Sequence, residues 1–86
     1  MSTIAEVKAE IAEAVESAKQ ALTAIATATS SIDDGEALMT KAAEGSGHPK
    51  IEEAMKCFGE AKGRLGEAGG LVLKGIETAE EYASNL

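Results

Sequence analysis

Cys57 and His48 are the residues of this chain best suited to chemistry, its one thiol and its one imidazole. Side by side they would make a nucleophile and its general base. They stand nine residues apart, a rise of about 13 Å on a helix, which is too far for a hydrogen-bonded pair within one chain. His48 lies in the break Gly45-Ser46-Gly47-His48-Pro49, where it reads as a helix cap. Cys57 is next to Phe58 and reads as a small packing residue. One cysteine excludes an internal disulfide, and a zinc site wants about four Cys or His ligands. Carboxylates are plentiful, but a di-metal centre in a helical bundle needs paired Glu-x-x-His motifs. The chain has none, and Glu44 near His48 does not make a site. A phosphate-binding glycine loop, a nucleophile elbow and a basic-aromatic patch are all missing from the sequence. The expectation is therefore no catalytic, cofactor-binding or metal residues, no cofactor, no small-molecule substrate, and no enzyme.

The elements that would carry a different kind of site follow from length and charge. Eighty-six residues make one domain, residues 1–86. The apolar fraction is 44%, with only Phe58 and Tyr82 aromatic, so any core is aliphatic and thin. Domains of this size are marginal without staples or association. The net charge is -7, which repels phosphate backbones and anionic membrane surfaces. No nucleic-acid or membrane partner is expected. Glu6 and Glu10 interrupt the N-terminal apolar residues, so no signal peptide is read. No stretch approaches the roughly 20 apolar residues of a membrane span. The expected location is cytoplasmic, or exported without a cleaved signal.

Thr3 with Glu6 forms a capping box, each side chain satisfying a backbone N–H. A helix over about residues 4–44 follows. Its row Ile4, Val7, Ile11, Val15, Ala18, Leu22, Ile25, Thr29, Ile32, Glu36, Met39 has a mean spacing of 3.5, the coiled-coil period. Glu36 is its one charge. Gly45 suits a C-terminal cap. After a turn at 45–49, Pro49 suits the first position of a second helix over about 50–85. Ile51, Met55, Phe58, Leu65, Val72, Ile76, Ala79, Ala83 and Leu86 make its row, with Lys62 and Gly69 in the remaining slots. Glu52–Lys56 and Glu60–Arg64 are expected outer ion pairs. Asp33 with Glu36 could cap a separate helix, giving three. Ile32 and Met39 carry the row across that gap and favour a continuous helix. Ile11–Val15 resembles Ile51–Met55 at a separation of 40, which reads as shared composition.

Small residues form a second pattern. Ala24, Ala28, Ser31 and Gly35 step by four, three and four, and so do Gly59, Gly63, Gly66 and Gly70. Glycine inside a helix costs roughly 1 kcal/mol against alanine. Close helix approach would offset this. With the turn near 46–48, facing residue numbers sum to about 94, which sets Gly59 on Gly35 and Gly63 on Ser31. If these stripes close the hairpin, Ile25, Ile32, Phe58, Leu65 and Val72 are left as an exposed apolar ridge. Such a ridge marks an association surface. The expected architecture is all-α, an antiparallel two-helix hairpin that pairs into a four-helix bundle dimer.

The start Thr3-Ile4-Ala5-Glu6-Val7-Lys8, the Gly45–Pro49 turn, Glu53-Ala54 and the end Ala79-Glu80-Glu81-Tyr82-Ala83-Ser84-Asn85-Leu86 resemble small helical-hairpin proteins of actinobacteria, encoded alone or leading large secreted toxins. That family has no assigned activity. In architecture the chain is also similar to the Trp-x-Gly hairpin proteins of type VII secretion. Glycine stands here where tryptophan should, and Leu86 holds the acidic place of an export signal that would begin at Tyr82. No site residue carries over. The expected function is a non-enzymatic protein–protein interaction module. It pairs with itself or a related helical protein, with secretion or toxin systems as the context the resemblance implies. The alternatives are a structural spacer, or a bundle-type cofactor or metal carrier or enzyme.

Overall fold

A capped start, a proline-led second start and a single glycine break specify two helices. The computed structural model, which describes residues 2–86, holds α1 (Ile4–Ala42) and α2 (Pro49–Ser84) packed as an antiparallel hairpin. At the first start the Thr3 hydroxyl accepts from the Glu6 N–H at 3.1 Å. The Glu6 carboxylate accepts from that same hydroxyl rather than from the backbone. The hydroxyl is thereby held between donor and acceptor. Gly45 takes φ +82° beyond the end of α1, a conformation that costs a side-chain-bearing residue. His48 caps α2 as expected: its Nδ1 accepts from the Lys50 N–H at 3.1 Å. α1 runs unbroken through Asp33-Asp34-Gly35, so the three-helix alternative falls. The apolar row outweighs the local capping signal.

The rotation of the helices differs from the expectation. The large rows face each other and form the seam. Val15 and Ile76 are its two buried residues, 7% and 4% exposed. The small stripes do not close the hairpin. A methyl built on Gly35, Gly59, Gly63, Gly66 or Gly70 would meet nothing within 4 Å. Gly69 is the glycine that faces the other helix, with its Cβ position 3.8 Å from Ile25 Cγ2. The physical reason is burial. Large aliphatic side chains gain about 25 cal/mol per Å² removed from water, and glycine has almost no side-chain area to remove. The register itself is close to the expected one, since Gly69 opposite Ile25 also sums to 94.

Lys62 and Glu36, the two charges in otherwise apolar rows, pair across the seam, and Asp33 joins them at 2.9 Å from the Lys62 Nζ. Glu36 first and Asp33 next, by hydrogen bonds, hold the Lys62 ammonium above the usual lysine range. A lone polar contact in an apolar seam discriminates against shifted registers, in which one charge would lack its partner. On the surface Arg64 pairs with Glu60 at 2.9 Å as expected, whereas the first turn of α2 pairs Lys50 with Glu53 rather than Glu52 with Lys56.

Candidate interaction surface

In heptad lettering the seam fills a and d of α1 from Ile11 onward and of α2 from Ile51 onward. Ile25, Ile32, Phe58, Leu65 and Val72, the residues expected to form the ridge, are all d residues and all half-buried in the seam. They are half-buried between the helices rather than a fully exposed ridge, and so contribute to the hairpin's own packing. The expectation set the two small stripes against each other and both large stripes on one side. In an antiparallel pair, residues offset in the same rotational sense share a side, and these stripes are offset in opposite senses. They lie on opposite sides of the seam.

The two sides of the seam differ chemically. One carries the e and b positions. It holds the Lys62–Asp33 contact and a groove of about 520 Å³ lined by Lys8, Glu16, Lys19 and Glu80 among others. The other carries g and c. There Ala14, Ala18, Val72, Gly75 and Ala79 line an apolar groove of about 320 Å³ floored by the two buried residues. The g row of α1 is Ala14, Ala21, Ala28 and Gly35; that of α2 is Ala54, Ala61, Ala68 and Gly75. Each residue of the second row stands 40 places after its counterpart. The similarity at that separation is thus the heptad phase repeated in both helices. Neither row was apparent before the seam was known.

From Ile11 to Met39 and from Ile51 to Ala79, the d, g and c positions hold one charge, Arg64, which turns to Glu60. Leu38 and Leu71 flank this side as c residues, 68% and 72% exposed. Cys57, expected to pack inside, is exposed at its edge. Among the described residues no three His, Cys, Asp or Glu gather as metal ligands, and no helix is long and apolar enough to cross a membrane.

The geometry defines a class: an elongated antiparallel helical hairpin with one charge-poor side. Comparison with protein-family models, with curated proteins and with solved structures finds no match for the chain.

Proposed function

We propose that this protein is a non-enzymatic interaction module, a helical rod whose apolar side is covered by another helical hairpin, its own copy or a related one. The observation that carries this is the mismatch between side chains and burial. The chain has a full heptad row on each helix, yet among the described residues only Val15 and Ile76 are buried in the isolated hairpin. Its radius of gyration is 19.5 Å, against about 12 Å for a compact chain of this length. A rod 65 Å long and 17 by 15 Å across has no interior in which to bury more. Completion by a partner supplies the missing core. A secretion or toxin setting rests on the resemblance alone and is part of the proposal only as its context.

Thermal unfolding by circular dichroism, repeated over a hundredfold range of concentration, tests the reading. Association with its own kind raises the midpoint as the protein is concentrated, and a chain awaiting a different partner melts broadly and early at every concentration. A sharp, concentration-independent melt of a fully helical monomer would contradict it, because such a hairpin needs no partner.

A further inference from the structure

We propose that the d, g and c side of the hairpin is the docking surface for a second copy of this chain, laid side by side to give a four-helix bundle. This rests on the interaction-module reading and names its partner and face.

Area gives the first argument. A compact monomer of 8.8 kDa exposes about 4,800 Å². This hairpin exposes 6338 Å², an excess of about 1,500 Å² over that scaling. Obligate homodimers bury roughly 1,000–2,500 Å² per chain. The excess is what one self-pairing would remove.

Charge selects the face. At a net -7, two copies repel wherever their acidic surfaces meet. Along the spans given above, the b, e and f positions carry the acids of both helices apart from Glu36, which pairs with Lys62 in the seam. On the d, g and c side, Arg64 is the only charge. Copies can meet there without bringing carboxylates together. Within those spans this side offers no charge pattern for selecting an unlike partner; Glu10 and Lys50, both c residues, lie just beyond them.

Side-chain size fits the same occupant. From Ala14 to Gly35 and from Ala54 to Gly75 the g rows hold only alanine and glycine, which lets a neighbouring helix approach closely. The half-buried d residues below them, among them Ile25, Phe58 and Leu65, would complete their burial under that helix. Leu38 and Leu71 would close the edges. A two-fold axis can set the α1 row of one chain on the α2 row of the other, and the two rows match in composition and spacing.

Light scattering after size exclusion, with helicity measured on the same samples, tests the face. The full chain is compared with Ala21→Glu/Ala68→Glu on the proposed face and with Ala26→Glu/Gly63→Glu on the opposite one. All four positions are exposed in the hairpin, so neither pair disturbs its own packing. The expected result is two chains for the wild type and for the second variant. The first variant should shift to one chain, its dissociation midpoint raised at least about a hundredfold. Unfolding of that variant alone counts equally in favour, because the hairpin itself does not cover those residues. A dimer broken by the second variant, or by both alike, overturns the face and leaves the interaction module standing. A wild-type monomer at every concentration overturns the self-pairing. If that monomer is poorly helical, a different partner is required. If it is fully helical and melts sharply, the interaction module falls as well.

Discussion

Replacing Gly59, Gly63, Gly66 and Gly70 together by alanine separates the observed hairpin from the one in which these glycines form the contact. At each position the added methyl meets no atom within 4 Å. It gains no burial and causes no clash, so helix propensity alone acts. That is about 1 kcal/mol per site, roughly 4 kcal/mol in sum. The sites are one turn apart, and coupling between neighbours lowers the sum to about 3 kcal/mol. For a domain of this size, 1 kcal/mol moves Tm by about 4–8 °C, so the quadruple variant should melt at least about 10 °C higher by circular dichroism. Gly45→Ala is the control of opposite sign. Its φ of +82° penalises any side chain, and Tm should fall by a few degrees, the equivalent of about 1 kcal/mol. An unchanged or lowered Tm in the quadruple variant would refute the reasoning. It would mean that the glycines lie against a backbone after all.

Leu65→Glu places a carboxylate at a half-buried seam position; the hairpin itself should lose roughly 2–4 kcal/mol, seen as lost helicity and not only as lost association. His48→Ala removes the acceptor of the Lys50 N–H and should cost about 1 kcal/mol, whereas His48→Asp keeps a cap and suits the helix dipole, so Tm should hold or rise. The Lys62 ammonium is held above its ordinary value of 10.5. Its stabilising contribution is thus complete below that value and is lost as pH rises through the higher folded value. Urea titrations on either side of that range should show wild type losing more stability than Lys62→Met, and equal losses would remove the ion pair from the account.

Much of the fold was legible because its signals are local. Thr3, Gly45, His48 and Pro49 each act within a turn of themselves, and all four do what their types dictate. The seam row was legible too, even to its two charges, since a heptad spacing survives in any packing. The facing of the helices was not. The stripe of large residues and the stripe of small ones share one period, so periodicity cannot say which of them turns inward. Buried area decides that, and it depends on both helices at once. For the same reason the matched alanine rows at 14–35 and 54–75 stayed hidden. They flank the seam, and become a surface only when the two helices are set side by side.

Small-angle X-ray scattering of the wild-type chain across a dilution series tests the central claim, a rod that pairs along its length, in one measurement. Forward scattering gives mass and the low-angle slope gives size. Two copies side by side, about 10–15 Å apart, would carry twice the mass at a radius of gyration of about 20–21 Å, barely above the 19.5 Å of one hairpin. That is the predicted result. The mass of one chain at all concentrations would contradict it. So would a doubled mass with a radius near 38 Å, about what end-to-end joining of two 65 Å rods would give.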